Sequence, residues 1–193
     1  MKKSQSMAAL AGAMLMAMGH ASDARETATA AFAYEFEAIE GGKLPLGKWQ
    51  GKVLLVVNTA SFCGYTRQYE GLQTLWQRYE KRGLVVVGVP SNDFGAQEPK
   101  SEAEIASFCQ GAFGVTFPLT AKEAVAGPQA HPFYRWAREV LGPGQAPRWN
   151  FHKYLVGRDG KLIAGYGAGV EPLSPTLIKA IEAALGSGQS PKS

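Results

Sequence analysis

The sequence contains little cysteine, since only Cys63 and Cys109 occur among its 193 residues. Two thiols are too few for a disulfide framework or a Cys-rich zinc site. The charge imbalance is also small, with 20 Lys or Arg against 16 Asp or Glu, and no basic run forms the stripe that binds nucleic acid. Hydrophobic residues make up 46% of the chain. The composition therefore indicates one globular domain with no nucleic-acid partner.

The N-terminal segment has the pattern of a targeting signal. Lys2 and Lys3 precede a run without charge from Met7 to Met18, which is too short to span a bilayer. Gly19-His20-Ala21 then supplies the small residues that a signal peptidase reads. A buried apolar helix would need neither feature. The pattern predicts a signal peptide over residues 1–21, cleavage near Ala21, export to the periplasm and no stable membrane insertion.

The remaining chain divides into three parts. Residues 22–31 are rich in Ala, Thr and charge without periodicity, which predicts a short disordered lead-in. Residues 32–185 are expected to form the folded domain. Residues 186–193 contain mostly Gly, Ser, Pro and Lys and are expected to be a flexible tail.

Two apolar runs mark the centre of the predicted domain. Val53–Val57 and Leu84–Val89 are continuous and of strand length, as expected for strands covered on both faces at the centre of a sheet. Between them, apolar residues recur at helical spacing from Tyr69 to Tyr79, and Gly83 follows where a helix would stop. A connection of this length predicts a parallel β-α-β unit.

The flanking elements complete an α/β plan. Alternation over Phe32–Phe36, followed by a turn at Glu40–Lys43, predicts an N-terminal β-hairpin. Later elements are a helix that Ser101 caps, a helix over Pro132–Leu141, a hairpin of Phe151–Val156 with Lys161–Tyr166, and a last helix from Pro175 that Ser174 caps. The order predicts a thioredoxin-like fold, in which helices flank a central mixed sheet.

Helical spacing predicts which side chains of two of these helices face inward. Phe108 and Cys109 follow Ile105 on one face of the helix that Ser101 caps, so Cys109 is expected to be buried. In the next helix, the predicted apolar face carries Phe133, Trp136, Val140 and Leu141.

Cys63 occupies the position in this plan where a thiol is most reactive. It follows the strand that ends at Val57 and precedes the helix that starts near Arg67. A helix N-terminus offers unpaired N–H groups and partial positive charge, which favour the nucleophilic thiolate over the thiol. Gly64 has no side chain to block access. The alternative is that Cys63 is a small buried hydrophobic residue.

Three segments carry a resemblance to a known family. Residues 58–66 read Asn-Thr-Ala-Ser-Phe-Cys-Gly-Tyr-Thr, residues 90–99 read Pro-Ser-Asn-Asp-Phe-Gly-Ala-Gln-Glu-Pro, and residues 149–151 read Trp-Asn-Phe. In this order and spacing they resemble the motifs of the glutathione peroxidase family, with cysteine where some animal members have selenocysteine. The resemblance extends from about Phe32 to Leu185. It implies a thiol peroxidase that reduces hydrogen peroxide and organic hydroperoxides.

The resemblance also implies the catalytic residues Cys63, Gln97, Trp149 and Asn150. A thiolate that attacks a peroxide oxygen needs uncharged hydrogen-bond donors, which two amides and an indole N–H supply. Taken singly, Trp149 is explained as a core aromatic, Asn150 as a turn residue and Gln97 as a surface residue. Their occurrence together inside the motifs favours the catalytic interpretation.

The second motif departs from the family pattern at three positions. Val89 stands where Phe is usual, Asp93 stands where Gln is usual, and Ser91 replaces a frequent cysteine. The first two differences affect expected local packing, whereas the third removes a thiol outside the catalytic set.

Cys109 resembles the resolving cysteine of the thioredoxin-dependent branch of the family. In this role it would condense with the sulfenic acid of Cys63 to form a disulfide, which an external dithiol would reduce. If so, its helix must open locally. The alternative is that Cys109 only packs in the core, beside Ile105 and Phe108.

The expected partners are a hydroperoxide and a reductant, either a thioredoxin-like protein or glutathione. No bound cofactor is expected. No metal is expected either, because His131 and His152 lack ligand spacing with other donors. The segment between Thr120 and Trp149 is short for a tetrameric, glutathione-using member, which indicates a monomer. Arg67 is as compatible with a solvated helix start as with a glutathione contact.

Two other functions remain open at this point. A thioredoxin-like disulfide exchanger would normally carry Cys-x-x-Cys, but Thr66 occupies the second cysteine position. A peroxide sensor would use the same two thiols without significant turnover.

Overall fold

The computed structural model describes residues 30–186. The predicted signal peptide, residues 22–29 of the lead-in and residues 187–193 of the tail lie outside the described residues. Within the described range the main elements are β1 (Glu35–Glu37), β2 (Lys43–Pro45), β3 (Val53–Thr59), α1 (Gln68–Tyr79), β4 (Leu84–Pro90), α2 (Glu102–Phe113), α3 (Pro132–Leu141), β5 (Lys153–Val156), β6 (Leu162–Tyr166) and α4 (Pro175–Gly186).

A four-stranded mixed sheet forms the centre, in the order β4-β3-β5-β6. Strand β3 runs parallel to β4, with Leu55 opposite Val86, and antiparallel to β5, with Leu55 opposite Leu155. Strands β1 and β2 form a separate antiparallel hairpin. The predicted thioredoxin-like fold is confirmed, including the parallel β-α-β unit and both hairpins.

Helices cover the sheet on both faces. Leu55 and Val57 pack on the face that α1, α2 and α4 cover, whereas Leu54 and Val56 pack on the face that α3 and the N-terminal hairpin cover. Every residue of β3 and β4 is buried. This double burial explains why both strands are continuous apolar runs, without the alternation of a sheet that has one wet face.

Strand β4 lies at an edge of the sheet, and the prediction that it is central was wrong. The irregular segment 118–120 covers its outer side. Gly88 N–H donates to Pro118 O and Thr120 N–H donates to Gly88 O, both over 2.9 Å. A Cβ at Gly88 would stand 2.5 Å from Cδ2 of Leu119. Glycine therefore permits this close approach.

Three local predictions also need correction. Residues Ala31–Ala33 form a short 3-10 helix, and only Glu35–Glu37 of the expected first strand pair with β2. Ala31 is buried and its N–H donates to Gly160 O, so ordered structure includes the last residue of the expected lead-in. Val140 is 52% exposed and does not lie on the packed face of α3, which carries Phe133, Trp136 and, partly buried, Leu141.

The helix ends agree with their sequence signals. Ser101 and Glu104 form a reciprocal capping box at the start of α2, and Gly114 ends this helix with a φ of 63°. Ser174 Oγ accepts from Leu177 N–H at the start of α4. Among residues 30–186, none of the helices is long and apolar enough to cross a membrane.

Candidate active site

Cys63 lies in a compact turn between β3 and α1. Its backbone N–H donates to Thr66 Oγ1 over 2.9 Å, and Thr66 Oγ1 donates to Ala60 O over 3.0 Å. The Tyr65 N–H donates to Cys63 Sγ over 3.4 Å. The N–H group that donates to this sulfur therefore comes from the turn, ahead of the first residue of α1. Cys63 is 9% exposed, and Gly64 has nothing near the position of a Cβ.

Gln97 lies on the segment after β4, next to the Cys63 turn. The Phe62 N–H donates to Gln97 O over 3.1 Å. The Ser61 hydroxyl donates to Glu98 Oε2 over 3.0 Å, and Glu98 is completely buried. Ser61 and Phe62 of the Cys63 turn thus bond to Glu98 and Gln97, respectively. These two bonds fix the position of Gln97 relative to Cys63.

Trp149 and Asn150 lie on a sharp bend before β5. The bend ends at Phe151, which has a φ of 64° in the left-handed region that non-glycine residues rarely adopt. Asn58, in β3, makes two hydrogen bonds to this bend. Its Nδ2 donates to Trp149 O over 3.1 Å, and its backbone O accepts from Phe151 N–H over 2.6 Å.

The two predicted amides meet directly. Asn150 Nδ2 donates to Gln97 Oε1 over 2.9 Å and to Phe94 O over 3.4 Å. Asn150 is fully buried, whereas the Trp149 ring is 40% exposed and lies 6.1 Å from the Phe94 ring. The structure therefore joins the Gln97 segment both to the Cys63 turn and to the Trp149–Asn150 bend.

Cys109 lies apart from this network, on the buried face of α2. Burial raises the pKa of its thiol to about 11, a shift that the neighbouring Tyr69 hydroxyl partly opposes. Cys63 and Cys109 are both free thiols in this structure. Cys109 is buried, as its position in α2 predicts, and its thiol remains protonated at neutral pH.

The three departures from the family pattern fit the structure. Val89 is fully buried beside the α3 face of the sheet. Asp93 accepts from the Val125 and Ala126 N–H groups over 2.7 and 2.9 Å. Ser91 is also buried, and its hydroxyl accepts from Asp93 N–H over 3.4 Å. Asp93 therefore anchors the segment before α3.

The other candidates from the sequence lie outside the network. His131 stacks on Phe36 with ring centroids 3.9 Å apart, and its Nε2 lies 2.9 Å from Glu35 O. His152 is buried, and burial followed by the charge of Lys153 lowers its pKa to about 4. Arg67 is exposed at the start of α1. Among the described residues no cluster of His, Cys, Asp or Glu could hold a metal ion.

Two buried charged residues support the site and were missed by sequence reasoning. Glu98 follows Gln97 within the second motif, and burial raises the pKa of its carboxyl. Lys153 follows the third motif and lies in a strand that is otherwise apolar apart from a tyrosine. A charged residue inside an apolar strand indicates a buried partner elsewhere in the fold, because an unpaired buried charge is costly.

The geometry defines a class of protein: a thioredoxin-like fold in which a cysteine lies in the turn between β3 and α1, beside a segment that bonds both to this turn and to a second amide side chain. The family model described as glutathione peroxidase matches residues 31–138. The chain is 44% identical over 149 residues to a hydroperoxy fatty acid reductase of Synechocystis sp., covering 73% of this chain and 88% of the relative. It is 46% identical over 136 residues to a glutathione peroxidase-like peroxiredoxin of Schizosaccharomyces pombe, covering 69% and 85%.

A solved structure gives the same result. The crystal structure of Trgpx in apo form superposes with a TM-score of 0.67 at 36% identity, covering 82% of this chain and 97% of that one. The chain therefore belongs to the glutathione peroxidase family and is a thiol peroxidase.

Proposed function

We propose that Cys63 is the peroxide-reducing thiol and that Gln97, Trp149 and Asn150 orient the peroxide. The observation that carries this assignment is the continuous hydrogen bonding from the Cys63 turn through Gln97 to Asn150. The Cys63 thiolate attacks one peroxide oxygen and breaks the O–O bond. Cys63 becomes a sulfenic acid, and the departing oxygen takes a proton to leave as water or an alcohol.

Cys109 completes the cycle in this proposal. Its thiol attacks the Cys63 sulfenic acid, a disulfide forms, and the sulfenic oxygen leaves as water. A buried thiol with a pKa of about 11 is a poor nucleophile, so α2 has to open before the step occurs. An external dithiol then reduces the disulfide. A resolving cysteine on the same chain favours a thioredoxin-like reductant over glutathione.

Exposed aromatic side chains on the Cys63 turn and on the Trp149–Asn150 bend favour organic hydroperoxides as substrates. Phe62 is 58% exposed directly beside Cys63, and Tyr65 and Trp149 are also exposed. Their rings offer apolar contact to an acyl chain. The name of the Synechocystis relative, hydroperoxy fatty acid reductase, agrees with this choice.

The proposal is tested by steady-state turnover of the mature protein with a dithiol donor and with glutathione, measured side by side. We expect the dithiol to support faster turnover. Cys63→Ser should abolish peroxide consumption, and Cys109→Ser should retain the first oxidation but lose turnover with the dithiol. Full dithiol-dependent turnover of Cys109→Ser would eliminate the two-cysteine cycle, and a glutathione preference would replace the proposed reductant.

We also propose that the protein is exported and acts in the periplasm as a monomer, with a periplasmic dithiol donor. The basic start and small-residue finish of residues 1–21 support export. The short Thr120–Trp149 segment supports the monomer. Mass spectrometry of protein purified from the periplasm should find an N-terminus near Ser22, and light scattering should give the monomer mass. A retained Met1 in the cytoplasm would contradict export.

A further inference from the structure

A lysine side chain is completely buried in this protein. Lys153 lies in β5 with 0% exposure, followed by Tyr154, Leu155 and Val156. Burying an ammonium group is costly unless hydrogen bonds and charges compensate for lost water. The Lys153 ammonium finds such hydrogen bonds between α1 and the Trp149–Asn150 bend.

The Lys153 ammonium bonds to one atom of each segment. Nζ donates to Gln68 Oε1 over 2.6 Å and to Phe151 O over 2.8 Å. Gln68 is the first residue of α1, the helix that follows the Cys63 turn. Phe151 ends the bend that carries Trp149 and Asn150. A single charged group thus joins the nucleophile's helix to the bend.

The carboxylate of Glu171 favours the protonated form of Lys153, which therefore prevails at neutral pH. Gln68 Nε2 donates to Ala168 O over 2.7 Å and to Glu171 Oε1 over 3.3 Å, so the amide connects Lys153 with a carboxylate. Burial lowers the pKa of Lys153 to about 8, and Glu171 opposes this shift. The neighbouring titratable group, His152, is neutral because its pKa is lowered to about 4.

We propose that Lys153 is a positioning residue for peroxide reduction: its charge holds the Trp149–Asn150 bend against α1 and so fixes the Asn150 amide, which in turn orients the Gln97 side chain toward peroxide at Cys63. The inference rests on the proposed roles of Cys63 and Asn150. The left-handed conformation of Phe151 is strained, and a charge-assisted bond to the Phe151 carbonyl offsets that strain.

The test compares two reactions of Cys63 in Lys153→Met. Hydrogen peroxide and iodoacetamide both need an accessible thiolate, but only peroxide needs oriented donors. Stopped-flow kinetics should show peroxide oxidation slowed by about tenfold or more, the scale of losing part of one oriented donor. Peptide mass spectrometry should show unchanged alkylation of Cys63. Lys161→Met, at an exposed lysine in the same hairpin, is the matched control and should leave both rates unchanged.

A measurement on the unaltered protein keeps the proposal testable if Lys153→Met does not fold. The ratio of the peroxide rate to the iodoacetamide rate cancels the ionisation of Cys63. It should fall with a midpoint near pH 8 as Lys153 loses its charge, and it should be flat in Lys153→Met.

Each contrary outcome has a distinct meaning. A constant ratio in the unaltered protein, or equal loss of both rates in Lys153→Met, would overturn the positioning role. If Cys63 in the unaltered protein reacts with peroxide no faster than a free thiol in solution, the proposed function itself fails.

Discussion

The side-chain amide of Asn150 donates a hydrogen bond to the side-chain carbonyl of Gln97 over 2.9 Å. In this bond the side-chain oxygen of Gln97 is the acceptor. The NH₂ group of Gln97 is therefore available to donate to another group. The bond therefore fixes the orientation of the two amides relative to each other, and the Gln97 donors remain for the proposed contact with peroxide. Coupled residues of this kind lose their effect together when either one is removed.

The first prediction concerns this coupling. Asn150→Ala and Gln97→Ala should each slow peroxide oxidation of Cys63 by about 10- to 100-fold, since Gln97→Ala removes an oriented donor and Asn150→Ala leaves that donor unfixed. The double variant should be less impaired than the product of the two losses. Stopped-flow fluorescence measures the rates, with Gln77→Ala as a control at an exposed amide. Strictly multiplicative losses would show that the two amides act separately.

The second prediction concerns substrate choice. Phe62→Ser should reduce kcat/KM for a fatty acyl hydroperoxide by about tenfold, because apolar contact with the acyl chain is lost. The value for hydrogen peroxide should change little. Ile163→Ser, at an exposed apolar residue of β6, is the control and should alter neither value. Equal losses for both substrates would show that Phe62 does not recognise the acyl chain and instead supports the structure of the Cys63 turn.

The third prediction concerns stability in acid. The pKa of His152 is about 4 in the folded protein and 6.5 as its ordinary value. Between these values the unfolded chain binds more protons, so the free energy of unfolding should fall as pH decreases through this window. The shift predicts a loss of about 2 kcal/mol between pH 7 and pH 4.5.

Urea unfolding of the wild-type protein and His152→Phe at both pH values measures this contribution. Phe keeps a ring beside Tyr154, whose centroid lies 4.7 Å from that of His152. We expect the variant to lose less stability on acidification than the wild type. An identical pH dependence would assign the acid sensitivity to other groups.

The fourth prediction concerns the covered edge of β4. Gly88→Ala places a Cβ 2.5 Å from Leu119 and 3.1 Å from Phe117, so these side chains must move. We expect a loss of about 1–3 kcal/mol in the free energy of unfolding, as for other overpacked sites. Gly169→Ala, where nothing lies near the added Cβ, should change stability little in the same urea titration. Equal stability of the two variants would mean that the edge segment adapts freely.

The sequence predicted the order of elements because period and caps are local properties. The Ser101 capping box and the strand-helix-strand unit are of this kind. The edge position of β4 could not be predicted, since an apolar run reports the burial of two faces and not the number of neighbouring strands. The first strand was predicted too long because side-chain alternation continues through Phe32, where no pairing strand follows.

The site shows the same division. The family motifs predicted Cys63, Gln97, Trp149 and Asn150 as one site, and the structure brings Gln97 and Asn150 into contact. The roles of Glu98 and Lys153 depend on which distant groups surround them, Ser61 for one and Gln68 for the other. Such pairings bring residues from separate elements together and leave no periodic trace in the chain.

The depth of Cys109 has a consequence beyond the catalytic cycle. A protonated thiol inside a packed helix cannot engage foreign disulfides, electrophiles or soft metal ions, all of which select exposed thiolates. In the reduced protein, only Cys63 is then available to such reagents. In the proposed cycle, Cys109 therefore reacts only after Cys63 is oxidised and α2 has opened.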